Sequence, residues 1–368
     1  MNIAIIGTRG IPNNYGGFEQ FAEFLSVGLV NLGHTVVVYN SHNHSFQQNN
    51  FKGVNIIKCY DPEYRIGTVG QFIYDFNCIL DSRKRNFDIV LQLGYTSSSI
   101  WSFLFPSKSI IVTNMDGLEW KRTKYTPKVR EFLKLAERWA VKYSDFLVAD
   151  SIGIKQYLYN KYKIDSFYIP YGAEVLTKVD NKYLSKFGLK EGSYDIIVAR
   201  LEPENSIELI LNGYVSSNSD KNFVVIGNTK TNYGKYLIGK YSKISRIKFL
   251  GSIYNKEELD SLRFYSDIYF HGHTVGGTNP SLLEAMGCSC FIAAQDNLFN
   301  SAILGRDAVY FMDEKDVENI IKTCIKNNHK DKIESNKAKI TGTYSWEKII
   351  HDYNNFFIEC KGGGNLDL

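Results

Sequence analysis

Residues 2–33 read NIAIIGTRGIPNNYGGFEQFAEFLSVGLVNLG. Asn2 to Ile6 is a short apolar run rich in β-branched side chains, the composition of a strand. A loop containing Gly7, Gly10, Gly16 and Gly17 follows it. Phe18, Phe21, Ala22, Leu25, Leu29 and Leu32 then fall on one face at helical spacing, and Gly33 ends the helix. Strand, glycine turn and amphipathic helix in succession form the repeating unit of a parallel α/β sheet.

The same unit recurs downstream. Further strands are expected at Thr35 to Tyr39, Asn55 to Cys59, Asp88 to Leu93, Ser109 to Thr113, Phe146 to Ala149 and Phe167 to Ile169, with a helix from Pro127 to Tyr143. Pro170, Tyr171 and Gly172 punctuate the chain. The alternation then restarts with strands at Asp195 to Val198, Phe223 to Ile226, Ile247 to Leu250, Ile268 to Phe270 and Cys290 to Ala293. The expected fold class is α/β, with two Rossmann-like parallel-sheet domains facing each other across a cleft. Their expected limits are residues 1–174 and 175–345, and a terminal helix over residues 346–360 packs back on the first domain. A chain of 368 residues can bury two such cores.

Composition excludes several classes. A net charge of +4 is too small for wholesale nucleic-acid binding. Gly117 to Tyr143 nevertheless holds eight basic residues (Lys121, Arg122, Lys124, Lys128, Arg130, Lys134, Arg138, Lys142) against Glu119, Glu131 and Glu137. That stretch, interleaved with Trp120, Tyr125, Phe132, Trp139 and Tyr143, suits an anionic bilayer face or a phosphorylated substrate. It equally suits a solvated helix whose Phe132, Leu135, Ala136 and Trp139 are buried. Six cysteines without a Cys-x-x-Cys pair are expected to be free thiols in a reducing compartment. Without a signal-like leader or a long apolar run the expectation is a cytoplasmic protein, peripheral on the inner membrane face at most. Only the glycine tail Gly362 to Gly364 is biased in composition.

Four loops at strand ends carry candidate chemistry. Arg9, Gly16 and Gly17 follow the first strand without the Gly-x-Gly-x-x-Gly spacing of dinucleotide sites, and they can offer an anion a helix start and a full charge. Asp116 and Glu119 stand in Asn114-Met115-Asp116-Gly117-Leu118-Glu119. Arg200, just past the strand Asp195 to Val198, can neutralise a leaving diphosphate. The run from His271 to Met286 contains His273, Gly276, Gly277, Thr278, Asn279 and Glu284. Asn279 reads as an N-cap and Pro280 as the first helical residue, a natural seat for a diphosphate, and Glu284 can accept from ribose hydroxyls. No Asp-x-Asp and no metal-spaced His or Cys cluster occurs, so no metal and no other cofactor is expected.

Through these motifs the chain resembles glycosyltransferase family four, the retaining GT-B transferases. More narrowly it is similar to the rhamnosyltransferases of bacterial capsule and O-antigen assembly. The resemblance runs through Gly7 to Phe21, Asn114 to Arg122, Val198 to Asn205, His271 to Met286 and Tyr344-Ser345-Trp346-Glu347. It implies an acceptor-side first domain and a nucleotide-sugar donor domain, with Gly227, Asn228 and Gly251 to Tyr254 lining the nucleotide pocket. The implied reaction is retaining transfer, with dTDP-rhamnose as donor and a saccharide or polyprenyl-diphosphate-linked acceptor; Asp116 would position that acceptor or support positive charge rather than form a covalent intermediate. The family's diphosphate-binding arginine matches Arg200, but its lysine position holds Asn205. Its second glutamate matches Glu284, while its first is replaced by Gly276. Donors based on UDP or GDP hexoses, a sugar-nucleotide 2-epimerase and a non-catalytic sugar-nucleotide sensor stay open as alternatives.

Overall fold

A computed structural model describes residues 1–122 and 125–363. Lys124 of the basic stretch and Gly364 of the tail lie outside the described residues. The chain forms two compact units. Unit 1 holds Met1–Lys121, Tyr125–Gly172 and the segment from Trp346 onward; unit 2 holds Ala173–Ser345 together with Arg122.

Unit 1 is built on eight strands: β1 (Asn2–Ile6), β2 (Thr35–Ser41), β3 (Asn50–Phe51), β4 (Val54–Cys59), β5 (Ile89–Leu93), β6 (Ile110–Asn114), β7 (Phe146–Ala149) and β8 (Phe167–Tyr168). Their order is β3-β4-β2-β1-β5-β6-β7-β8, and all pairs are parallel except β3 with β4. The central strands bury both faces because helices cover each side, which is why Ile3 to Ile6 and Ile89 to Leu93 are apolar without alternation. Helix Trp346–Gly362 packs in this unit against helix Gly17–Asn31. Phe24 stacks on Trp346 with ring centroids 4.5 Å apart, and Phe21 meets Tyr353 at 5.4 Å. Gly28 permits that approach, since a Cβ there would stand 2.4 Å from Ile350 Cδ1.

Helix Pro127–Tyr143 buries Leu133, Ala136, Glu137, Ala140 and Val141. Leu135, expected inside, is 39% exposed, as are Val129 and Tyr143 to a similar degree. The inward seam is displaced because Glu137, 1% exposed, sits inside it as a hydrogen-bond hub. Its carboxylate accepts from Trp120 Nε1 (3.0 Å), Tyr157 OH (2.8 Å), Tyr162 OH (2.6 Å) and Lys161 Nζ (2.7 Å). A fully accepted carboxylate is tolerated in a core where an isolated one is not.

Unit 2 carries β9 (Tyr194–Val198), β10 (Asn222–Ile226), β11 (Ile247–Gly251), β12 (Ile268–His271), β13 (Phe291–Gln295) and β14 (Val309–Phe311), all parallel. The order β11-β10-β9-β12-β13-β14 is that of a doubly wound nucleotide-binding sheet. Ile197, Ile210, Leu211, Phe223, Phe270 and Phe311 fill its core. From β9 the chain moves to one side of the sheet, and from β12 to the other. The carboxyl ends of these two neighbouring strands therefore flank the topological switch point, where such sheets leave a crevice.

Candidate functional site

The loops after β9 and β12 meet at the switch point and are clipped together. The Asn205 side chain is buried and donates from Nδ2 to the Arg200 carbonyl at 2.7 Å. Thr274 donates to the Glu204 carbonyl through its amide (3.0 Å) and its hydroxyl (2.9 Å). Gly272 lies so close that a Cβ would stand 2.1 Å from the Asn205 carbonyl oxygen. On the other side of β9, Gly227 donates its amide to the Gly251 carbonyl at 3.0 Å. Arg200 is exposed at the centre of this edge.

Helix Pro280–Gly287 begins directly above these loops. Asn279 Oδ1 accepts from the Ser281 amide at 2.9 Å, and Pro280 occupies the first turn, so the helix has a capped start. Ser281 Oγ donates to the Val198 carbonyl at 3.1 Å and lies 2.7 Å from Tyr269 OH, which ties the helix to the ends of β9 and β12. Glu284, one turn in, has its Oε2 at 2.6 Å from Arg263 Nη2. Arg263 is 2% exposed. Burial works against its charge, but Glu284, joined by Tyr269, Cys288 and Asp260, more than offsets that, and its pKa is raised. Amides at a helix start and the Arg200 guanidinium give this edge the chemistry of an anion seat.

His271 and His273 stand beside it with their rings parallel. The His273 carbonyl accepts from Asn297 Nδ2 (2.9 Å) and Asn300 Nδ2 (3.1 Å). Burial pushes the His271 pKa down to about 3 and that of His273 well below the usual range, with His271 and Arg200 adding to the second effect. Both imidazoles are therefore neutral near pH 7.

In unit 1 the loop after β1 is occupied differently from the expectation. Arg9 donates from Nε and Nη2 to the two oxygens of Glu63 at 2.9 and 2.8 Å, and its guanidinium lies 3.8 Å from the Tyr15 ring centroid. Glu19 Oε1, in the first turn of helix Gly17–Asn31, accepts the Arg9 amide at 2.9 Å. The start of that helix thus carries a carboxylate, and the Arg9 charge is met within the unit. After β6, Asp116 has a left-handed backbone (φ 49°), with its amide 3.0 Å from Asn114 Oδ1. Asn114 Nδ2 in turn donates to Tyr353 OH at 3.1 Å. A non-glycine residue held at positive φ is a strained position of the kind that clusters at functional sites. Glu119 is buried in the turn Glu119–Lys121.

Residues 181–342 match the family model described as glycosyl transferases group 1. That match falls within unit 2. Residues 1–174 match a domain of unknown function, DUF1972, and no curated protein sequence matches the chain. Among solved structures, the chain is similar to sucrose-phosphate synthase from Thermosynechococcus elongatus, with a TM-score of 0.79 at 14% identity over 99% of this chain and 100% of that one. It is also similar to HepE of Anabaena in complex with UDP and glucose, with a TM-score of 0.77 at 14% identity over 97% and 99%. A third is α,α-trehalose 6-phosphate synthase from Burkholderia multivorans, with a TM-score of 0.71 at 10% identity over 98% and 97%. The protein is a glycosyltransferase of the GT-B fold.

In this glycosyltransferase Arg200, Asn205, Gly227, Asn228, Gly251, Tyr254, His273, Gly276, Gly277, Thr278, Asn279 and Glu284 all fall on the carboxyl edge of one sheet, spread over β11, β10, β9 and β12. Tyr254 is 70% exposed there. Asn205 is directed at the Arg200 backbone rather than outward, so it organises the loop. In unit 1, Arg9, Gly16 and Gly17 follow β1 whereas Asp116 and Glu119 follow β6, and β5 separates the two strands. Sequence reasoning passed over Arg263, whose only signal was an arginine at an apolar position of helix Lys256–Phe264. It also passed over Asp75, a buried carboxyl that accepts from Ser97 Oγ at 2.6 Å and whose pKa burial raises to about 7. Among the described residues no helix is long and apolar enough to cross a membrane.

Proposed function

We propose that the glycosyltransferase takes its sugar from a nucleotide sugar seated on unit 2, with the diphosphate at Arg200 and the start of helix Pro280–Gly287. The observation that carries this is the switch point of unit 2, where a guanidinium, a capped helix start and an Arg263-oriented Glu284 converge on one strand edge. As the glycosyl–oxygen bond breaks, negative charge grows on the diphosphate and oxocarbenium character on the sugar. Arg200 and the helix amides stabilise the first; Glu284 holds the ribose. Transfer to a saccharide hydroxyl proceeds with retention, and Asp116 orients that acceptor. A leaving phosphate oxygen takes the acceptor proton.

The donor in this reading is dTDP-rhamnose, and the acceptor is a lipid-linked saccharide of bacterial surface polysaccharide assembly, met at the inner membrane face. The support is the pair of sequence motifs around Asp116 and His273, together with the basic helix Pro127–Tyr143. A hexose from UDP is the second reading, favoured by the similarity to HepE, whose structures hold UDP, UDP-glucose or UDP and glucose. Cations from the protein replace a metal in both.

A thermal-shift panel of dTDP, UDP and GDP decides the donor. The right diphosphate at 100 times its dissociation constant stabilises the fold by about 2.7 kcal/mol. Stabilisation by dTDP with consumption of dTDP-rhamnose only when acceptor is present supports the first reading; preference for UDP establishes the second. Interconversion of the sugar nucleotide without acceptor would mark an epimerase. Turnover that vanishes in EDTA and returns with magnesium or manganese would overturn the metal-free seat.

A further inference from the structure

His271 closes β12 and His273 follows two residues later, their ring centroids 4.4 Å apart and their planes at 15°. His271 is 1% exposed. Neither of its ring nitrogens has a hydrogen-bond partner among the described residues, nor does Nδ1 of His273. Folded proteins ordinarily pair such groups, because burying a polar atom unpaired costs free energy. Two adjacent rings with three unpaired nitrogens, at the crevice of a ligand-binding sheet, mark a place where a ligand supplies the partner.

The chemistry of that ligand follows from the state of the rings. An uncharged imidazole offers one donor and one acceptor. That matches a hydroxyl, which also donates and accepts, and it gives little to a diphosphate, which asks for positive charge. Arg200 and the helix start already serve the anion. The loop is rigid where the rings stand: Asn297 and Asn300 clamp the His273 carbonyl, Thr274 is tied to Glu204, and Gly272 is pressed on the Asn205 backbone. Three residues beyond, Gly276 at φ 142° has no atom within 4 Å of the position its Cβ would take, so the space next to the loop is open.

We infer that the stacked pair forms the subsite for the transferred sugar, with His273 hydrogen-bonding a glycosyl hydroxyl and His271 fixing the plane of its ring. This rests on the nucleotide-sugar reading above and adds to it the group that tells one glycosyl unit from another. His273 is a specificity-determining residue, distinct from the diphosphate seat.

Calorimetric titration of the full chain and of His273→Ala and His273→Gln tests it. The probes are dTDP, UDP and GDP, each beside its sugar form: dTDP-rhamnose, UDP-glucose and GDP-mannose. His273→Ala should bind the free diphosphate within about twofold of the parent, while its affinity for the sugar form relative to the diphosphate falls about tenfold, the scale of one hydrogen bond. His273→Gln, whose amide reaches the outer ring-nitrogen position, should recover most of that ratio, and retained diphosphate binding reports an intact fold. Equal weakening of both ligand forms would overturn the inference by placing His273 at the phosphates. No change in either would also overturn it. If the unsubstituted protein binds none of the diphosphates, the nucleotide-sugar reading itself falls and takes the subsite with it.

Discussion

Arg263 and Glu284 lie on successive helices of unit 2 and join through a 2.6 Å contact between Nη2 and Oε2. The arginine is sealed in the core, and Asp260 Oδ1, 3.6 Å from its Nη1, is a more distant second carboxylate. Glu284→Ala leaves that charge without its main partner. The expected loss is about 3 kcal/mol in urea unfolding, since removing one member of a buried pair strands the other. Arg263→Met combined with Glu284→Met should lose clearly less than the two single changes summed, and strict additivity would show that the pair is not coupled.

Arg200→Ala should lower turnover by about two to three orders of magnitude, the scale of losing one strong electrostatic contact to a leaving group. Asn205 cannot replace it, because its amide is committed to the Arg200 carbonyl. For the same reason Asn205→Lys, which places a cation at this position, should not raise activity. It should destabilise unit 2, because a long charged chain enters a buried position. Steady-state kinetics and thermal unfolding of the two variants check both statements.

Asp195 is fully buried at the start of β9, and burial raises its pKa to about 7. The folded state therefore holds this proton more tightly than the unfolded chain, whose carboxyl titrates near 3.8. Stability from this group is complete below that lower value and is lost as pH rises toward about 7, by up to about 4 kcal/mol. Asp195→Asn keeps an acceptor for the Ile268 amide, which donates to Oδ1 at 3.2 Å. The variant should be more stable than the parent at pH 8, with the difference vanishing below pH 4. Parallel pH profiles in denaturant titrations would refute this.

Helix Pro127–Tyr143 presents Lys128, Arg138 and Lys142 beside exposed Val129, Leu135 and Tyr143. Each surface cation near an anionic leaflet contributes on the order of 1 kcal/mol before screening. The protein should float with anionic liposomes at low salt, and a Lys124, Lys128, Lys134 triple glutamate variant should not. Equal behaviour of the two proteins would remove this helix from the choice of acceptor location.

The sheets were readable because their central strands are continuous apolar runs, and β1 and β7 coincide with their expected limits. The strands β3 and β14 were not: two or three residues carry no period of their own, and β8, equally short, was legible only because the apolar run Phe167 to Ile169 precedes Pro170. The capped start of helix Pro280–Gly287 was legible from Asn279 and Pro280 alone. Long-range partners were invisible: Glu63 lies 54 residues from Arg9 and redirects its charge, and Arg263 precedes Glu284 on another helix. Leu135 and Glu137 show the same limit from another side, since helical spacing cannot tell an apolar seam from one built around a satisfied carboxylate.

The press of Gly272 against the Asn205 backbone makes two loops, far apart in the chain, into one moulded part. Neither can change length without displacing the other. Engineering a new donor preference by grafting a single loop should yield insoluble protein, whereas exchanging both together preserves the joint. A library confined to side chains at positions 271 and 273 leaves the joint untouched, and it is there that an altered sugar preference is most accessible.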